Sequence, residues 1–225
     1  MIAFSDRDAA GTALAEALAE FDFVDPVVLA LPRGGVPVAV HVARALGAPL
    51  DLVMVRKIGV PNQPELAAGA IVDGANPEMV VNDHICDMVG LNRADLERLS
   101  QVQLEEIRRR REVYLPGRPH VPLRGKTAIV VDDGIATGAT TRAALLAVRR
   151  QHPRKLVLAI PVAPETTVRL LERDVDTVVC LETPEPFHAI GAHYRRFDQL
   201  SDDEVVSLLR SYDADLRAAQ PATDT

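Results

Sequence analysis

The sequence has few cysteines, no excess of positive charge and no long apolar segment, and each of these absences excludes a class of protein. Cys86 and Cys180 lie far apart in the 225 residues and outside any CxxC pattern, so we expect free thiols in a reducing compartment. The 25 basic and 32 acidic residues leave a net charge of −7, which disfavours a global electrostatic grip on nucleic acid. No apolar run approaches membrane-spanning length, and no secretory signal is recognisable. We therefore expect a cytoplasmic protein that binds neither nucleic acid nor membrane.

The chain does contain enough apolar residues for a core, at 48%. Short strands rich in Val, Ile and Leu alternate with segments of helical pattern. Strands are predicted at 27–31, 50–57, 66–72, 128–131, 155–162 and 177–182, with an edge strand at 78–82, and helices at 5–21, 38–47, 92–115, 140–151 and 164–173. This alternation indicates an α/β fold, in which a mostly parallel sheet is flanked by helices on both faces.

The segment AIVVDDGIATGATT, residues 128–141, delivers two carboxylates and then a loop of small residues to the end of a buried strand. Ligands bind beyond such strand ends in open α/β sheets. Unpaired N–H groups at the start of the following helix, with Thr hydroxyls, form an anion site for which phosphate is the usual ligand. Asp132 and Asp133 cannot bind that phosphate, but they can accept hydrogen bonds from hydroxyls or hold Mg²⁺ through water. A phosphate beside hydroxyls describes a sugar phosphate.

The common nucleotide and phosphate motifs match this segment less well. The sequence has no GxGxxG, and Gly125-Lys126-Thr127 resembles the end of a nucleotide P-loop but precedes a strand instead of a helix. A receiver domain pairs acids at a strand end but needs no phosphate loop directly after them. The alternative without a ligand is a helix capped by Thr140 or Thr141 behind two solvated acids.

A second loop of the same kind follows the first predicted strand, in LPRGGVPV at 31–38. Gly34 and Gly35 expose backbone N–H groups and Arg33 adds a cation, which indicates a second anion site. The alternative is a tight turn without a ligand.

A third strand end carries Arg56 and Lys57, followed by the turn-rich segment 58–65, which we expect to be a mobile loop. A cation on a movable loop could close over a leaving phosphate group. The alternative is a solvated Arg-Lys pair.

Together these stretches resemble a known family. The segment IVVDDGIATGATT resembles the phosphoribosyl pyrophosphate (PRPP) signature of type I phosphoribosyltransferases. The segment PRGG resembles the first pyrophosphate loop of that family. The segment RKIGVPNQPE lies where the family has its flexible loop. The set is most similar to a little-characterised bacterial group of predicted phosphoribosyltransferases. The resemblance covers a core at 25–182 and implies one domain over 1–225, with a helical insertion at 73–125 and a small hood at 183–204.

The resemblance also implies a role for each matching residue. Asp132 and Asp133 would bind the ribose hydroxyls and Mg²⁺, while Arg33, Gly34 and Gly35 would bind pyrophosphate. The peptide bond before Gly34 would be cis, and Lys57 would be the cation of the closing loop. The 5′-phosphate would lie against Ala136, Thr137, Gly138, Ala139, Thr140 and Thr141.

Two segments depart from the family pattern. The insertion contains a predicted helix at 92–115 that would be a dimer contact or a lid, and its RRRR run at 108–111 indicates a salt-bridged helix face in preference to an RNA site. In the hood, Phe187 or Tyr194 could stack on a flat base, or both could simply anchor the segment to the core.

The resemblance implies a Mg²⁺-dependent phosphoribosyltransferase that transfers 5-phosphoribosyl from PRPP to a nitrogen nucleophile, usually a nucleobase, and releases pyrophosphate. The partners would be PRPP, a small-molecule acceptor and a second copy of the chain in a homodimer. One alternative is a non-catalytic PRPP-binding regulator on the same fold, which could dispense with Arg33 and Lys57. Another is a different sugar-phosphate or nucleotide enzyme with convergent loops.

Overall fold

A computed structural model describes residues 3–61, 63–74 and 77–219, which form two sheets and seven helices. The helices are α1 (Arg7–Ala19), α2 (Gly35–Leu46), α3 (Asp83–Val89), α4 (Arg93–Tyr114), α5 (Ala139–Arg149), α6 (Glu165–Leu171) and α7 (Asp202–Ala219). The strands are β1 (Pro26–Ala30), β2 (Leu50–Leu52), β3 (Val55–Val60), β4 (Gln63–Val72), β5 (Glu78–Val81), β6 (Thr127–Val131), β7 (Lys155–Val162) and β8 (Thr177–Glu182). None of the helices described is long and apolar enough to span a membrane.

The central sheet has five parallel strands in the order β2-β1-β6-β7-β8. Its inner strands are almost wholly buried and apolar, because apolar clusters pack on both faces of the sheet. The α/β fold with a mostly parallel sheet flanked by helices is confirmed. Since β1 and β6 are neighbours, with Val28 opposite Ile129, the loops that follow these two strands leave the same edge of the sheet side by side.

The second sheet is antiparallel, in the order β3-β4-β5. Its strands replace most of the turn-rich loop expected at 58–65, since β3 runs on to Val60 and β4 begins at Gln63. Asn62 lies outside the described residues, and the mobility of the segment stays a prediction. The single strand predicted at 50–57 is also wrong, because β2 and β3 belong to different sheets. The Gly and Pro residues of the segment favour turns, and they led to the wrong prediction of a loop. Ile58 and Val60 are buried at alternate positions of β3, as expected of a half-buried strand.

The inserted helix α4 is attached to the rest of the fold through a buried group of charges. Arg111 of the RRRR run is only 11% exposed and lies between two buried carboxylates. Its Nη2 donates to Oδ1 of Asp51 at 2.9 Å, and its Nη1 lies 3.5 Å from Oδ2 of Asp73. The backbone N–H of Met54 also donates to Asp73, at 2.7 Å. One arginine therefore joins α4 to β2 and to the end of β4.

The other described arginines of the run behave as expected of a helix face. Arg109 and Arg110 both donate to the carboxylate of Glu106, at 2.8 Å each. Arg108 is exposed. Hence the predicted salt-bridged face describes this part of the helix, and Arg111 is the member that the sequence did not single out.

Asp73 makes stability depend on pH near neutrality. Burial raises the pKa of Asp73 to about 7, while Met54 and Arg111 oppose the shift. Because the folded chain binds this proton more tightly than the unfolded chain, the free energy of unfolding should rise as the pH falls through 7. We expect the gain between pH 8.0 and 6.5 to be about 0.5–1 kcal/mol larger in the wild type than in a variant without this carboxyl group, measured by urea unfolding.

The matched control is Asp73→Asn, whose amide oxygen can still accept from Met54 but does not titrate. The window ends at pH 6.5 because the pKa of His120 is lowered by burial, and its protonation at lower pH would act in the opposite direction. Equal pH slopes in the two proteins would contradict the prediction.

Candidate functional site

The loops after β1 and β6 touch each other. The backbone N–H of Leu31 donates to the carbonyl of Val131 at 2.9 Å. A Cβ atom added to Gly34 would lie 2.1 Å from Oδ2 of Asp133, so only glycine permits this approach. The structure thus brings the predicted pyrophosphate loop against the predicted acid pair.

The loop after β6 has the backbone of an anion site. Gly138 has φ +77 and is the N-cap of α5, whose first-turn N–H groups have no intrahelical acceptor. The Thr167 hydroxyl donates to the carbonyl of Ala136 at 2.7 Å and supports the loop from behind. Four of the six predicted phosphate-binding residues are exposed, namely Ala136, Thr137, Ala139 and Thr140. Thr141 is buried, so its side chain faces the core.

The two acids occupy a poorly solvated position at the end of β6. The backbone N–H of Asp133 donates to Oδ1 of Asp132 at 2.9 Å, and the Tyr194 hydroxyl donates to the carbonyl of Asp133 at 2.5 Å. Burial, together with the charge of Asp133, raises the pKa of Asp132 well above its usual range. Burial likewise raises the pKa of Asp133, and the Arg7 guanidinium opposes that shift.

Arg7 is a member of this site that the sequence did not reveal. Its Nε donates to Oδ2 of Asp133 at 2.7 Å, and both side chains are nearly buried, at 12% and 10% exposure. The sequence indicates only that Arg7 lies at the start of a helix, and this position does not predict a contact with Asp133.

The acid pair fits a shared Mg²⁺ ion better than a metal held by protein alone. In the ranges that the structure describes, no group of three or more His, Cys, Asp or Glu side chains could hold a metal. Mg²⁺ in phosphate-binding sites is commonly held by one or two carboxylates plus substrate oxygens and water. Asp132 and Asp133 therefore suit an ion that arrives with a phosphate-bearing ligand.

Arg33 is half-buried and already has partners at the site. Its Nη1 lies 3.7 Å from Oδ1 of Asp202, at the start of α7. The same carboxylate accepts from the hydroxyl of Tyr114 at 2.5 Å. A cis peptide bond in this loop lies between Pro32 and Arg33, so the expected cis bond before Gly34 is wrong by one residue. The β1 loop is thus linked through Asp202 to the end of α4.

Lys57 lies within β3, opposite Ala70 of β4, and not at a strand end. It is exposed and lines a cavity of about 490 Å³ between the antiparallel sheet and α5. Ala139 and Thr140 line the same cavity. Lys57 therefore shares a space with the predicted phosphate loop, although it is carried by a strand.

The structure separates the two aromatic residues of the predicted hood. Tyr194 is 4% exposed, with its ring 5.5 Å from that of Phe4 and 4.9 Å from that of Phe197, so it anchors the segment and cannot stack on a base. Phe187 is half-buried and stacks on His193 at 5.0 Å. Both ring nitrogens of the buried His193 lack a hydrogen-bond partner among the residues described.

The parallel sheet, with its two small-residue loops at adjacent strand ends and an acid pair between them, has the architecture of a phosphoribosyl transferase. The chain belongs to this family, since the model of the phosphoribosyl transferase domain matches residues 7–194. The chain is 49% identical over 206 residues to "Putative phosphoribosyl transferase Rv0571c" of Mycobacterium tuberculosis (strain ATCC 25618 / H37Rv). That match covers 92% of this chain and 46% of the mycobacterial protein.

A solved structure agrees with the fold over almost its whole length. The crystal structure of TT1426 from Thermus thermophilus is similar with a TM-score of 0.80 and 42% sequence identity, over 93% of this chain and 98% of that one. The family membership predicted from the sequence is confirmed. The chain spans about half the length of the curated relatives that it matches.

Proposed function

We propose that the protein binds PRPP with Mg²⁺ and transfers its 5-phosphoribosyl group to a nitrogen nucleophile. The contact between Gly34 and the Asp133 carboxylate is the observation that carries this proposal. In PRPP the pyrophosphate on C1 is next to the 2-hydroxyl, so a residue that binds the ribose hydroxyls must lie against the pyrophosphate loop. The 5′-phosphate leaves the other end of the ribose, and the exposed residues of the 136–140 loop follow Asp133 closely in the chain.

Each group would have a defined part in the transfer. The bond from C1 to the pyrophosphate oxygen breaks, a bond from C1 to the acceptor nitrogen forms, and an N–H acceptor gives its proton to water or to the released pyrophosphate. Bond breaking runs ahead of bond making, so the ribose becomes positively charged and the leaving group gains negative charge. The Gly34 and Gly35 backbone and Arg33 would stabilise that leaving group, and Lys57 would add a cation from β3. Bound Mg²⁺ would neutralise charge on the pyrophosphate.

We place the acceptor beside Phe187. Its half-buried ring could stack on a flat nitrogen heterocycle. A nucleobase satisfies this requirement, since it is a flat heterocycle that carries ring nitrogens.

The proposal predicts a specific response to PRPP. We expect millimolar PRPP with Mg²⁺ to raise the melting temperature by several degrees, because binding to the folded state alone stabilises it. Pyrophosphate release should then follow with at least one member of a panel of purines, pyrimidines and other nitrogen nucleophiles. Absence of any PRPP-dependent shift would reject the family's usual ligand for this chain.

Asp132→Asn is the control for that experiment. Its amide oxygen can still accept from the Asp133 N–H, so the variant should fold and yet lose most pyrophosphate release. PRPP binding without release across the whole panel would favour the alternative function, a PRPP-binding regulator. The homodimer and the cytoplasmic location stay predictions from the sequence.

A further inference from the structure

Arg7 is held at the acid pair from three sides. Besides Asp133, its Nη1 donates to the carbonyl of Asp198 at 2.8 Å, and its guanidinium carbon lies 3.8 Å from the ring centroid of Phe197. The side chain of Asp6 accepts from the N–H of Ala9 and thereby fixes the first turn of α1, where Arg7 lies. The guanidinium therefore has a defined position before any ligand arrives.

The geometry restricts Asp133 as well. Its Oδ2 lies between Nε of Arg7, at 2.7 Å, and the position that a Cβ of Gly34 would occupy, at 2.1 Å. One carboxylate oxygen is thus confined between α1 and the pyrophosphate loop.

Attachment of α1 to the sheet does not explain the buried pair. The helix already packs through an apolar face, with Leu14 and Leu18 fully buried. A buried ion pair is in general a weak source of stability, because desolvation offsets its attraction. Since Arg7 contacts the carboxylate that faces the Gly34 loop, orientation of the Asp133 carboxylate explains the pair better than stability does.

We infer that Arg7 is a positioning residue for phosphoribosyl binding: it holds the Asp133 carboxylate against the pyrophosphate loop in the orientation that binds the ribose hydroxyls. The inference rests on the proposed function. By this inference α1 contributes a residue to the site, whereas the sequence motifs predict site residues only at three strand ends. Arg7 acts through Asp133 and need not touch the ligand.

The test measures Kd for PRPP in the presence of Mg²⁺ by calorimetry. Arg7→Gln should weaken binding about 10- to 100-fold, since small misplacements of a site group have effects of this size. Arg7→Lys should recover only part of the loss, because an ammonium lacks the rigid donor fork of arginine. Combined with Asp133→Asn, Arg7→Gln should weaken binding no further than Asp133→Asn alone, because its effect passes through that carboxylate.

The matched control is Arg118→Gln. Arg118 also donates to one carboxylate and one carbonyl, those of Asp213 and Leu50, at 2.8 Å each. Leu50 is the first residue of β2, so this contact lies at the opposite end of that strand from the carboxyl edge. Loss of the Arg118 guanidinium should lower the melting temperature without changing Kd.

Each outcome decides the question. Arg7→Gln that binds PRPP as tightly as the wild type overturns the inference, and so does a double variant whose loss equals the sum of the single losses. Arg7→Gln alone could fail to fold, because it leaves the buried Asp133 carboxylate without a partner. The Arg7→Gln/Asp133→Asn double variant and Arg7→Lys avoid this problem and still test the inference. Wild-type affinity for PRPP in Arg7→Lys would then reject a positioning role. Wild-type protein that does not bind PRPP rejects the proposed function and this inference together.

Discussion

Gly34→Ala is expected to remove PRPP binding almost completely, with a loss of affinity of about 100-fold or more. The three atoms closest to the new methyl group would all belong to the Asp133 side chain, at 2.1, 2.5 and 2.8 Å. Arg7 restrains that side chain from the other side, so relief requires either a rotated carboxylate or a displaced loop. Overpacking of this kind should also destabilise the fold by about 1–3 kcal/mol. Affinity is measured by calorimetry and stability by urea unfolding.

A second background separates the contact itself from other effects of the substitution. In Asp133→Ala the three clashing atoms are absent, so Gly34→Ala should destabilise that variant less than it destabilises the wild type. The same loss of stability in both backgrounds would show that the approach of Gly34 to Asp133 is not what the methyl group disturbs.

The predictable parts of the site are those written in short contiguous stretches. An apolar strand followed by small residues and a helical pattern is a local signal, and both 31–38 and 128–141 carry it. Such a signal also locates the loops, because parallel neighbouring strands must present their carboxyl ends at one edge. The structure accordingly shows both loops in contact at the ends of β1 and β6.

Contacts between distant segments could not be predicted in this way. Arg7 and Asp133 are 126 residues apart, and nothing in the local sequence around either residue predicts a contact with the other. The β3-β4 hairpin was concealed for a related reason. Gly59 and Pro61 favour turns, while the pairing with β5 and the packing against α5 that support the hairpin are tertiary.

The hood shows how burial decides between two uses of the same residue type. Phe187 and Tyr194 are equivalent candidates in the sequence, since both are aromatic and lie near a predicted strand end. In the structure the Tyr194 hydroxyl donates to the backbone carbonyl of Asp133, and the Tyr194 ring packs on Phe4 and Phe197. A tyrosine whose polar tip is satisfied inside the core is a structural anchor, so of these two rings Phe187 alone stays a candidate for stacking on an acceptor.

Arg111→Ala is expected to produce the largest loss of stability, about 3–5 kcal/mol at pH 8.0, because it leaves the buried Asp51 carboxylate without its cation and makes ionised Asp73 still less favourable. Asp51 and Asp73 are 3% and 5% exposed at their side chains, so water cannot replace the guanidinium without opening the structure. Urea unfolding measures the loss. Arg108→Ala, at an exposed position of the same run, should change stability by only about 0.5 kcal/mol.

The same substitution also tests whether α4 is a fixed part of the site. Tyr114 at the end of α4 donates to Asp202, and Asp202 lies beside Arg33, so loosening of the helix should reach the pyrophosphate loop. We therefore expect Arg111→Ala to increase amide exchange in residues 93–114 and to weaken PRPP binding more than Arg108→Ala does. A stability loss below about 1 kcal/mol at pH 8.0 would show that the buried Asp51 carboxylate does not need the Arg111 cation.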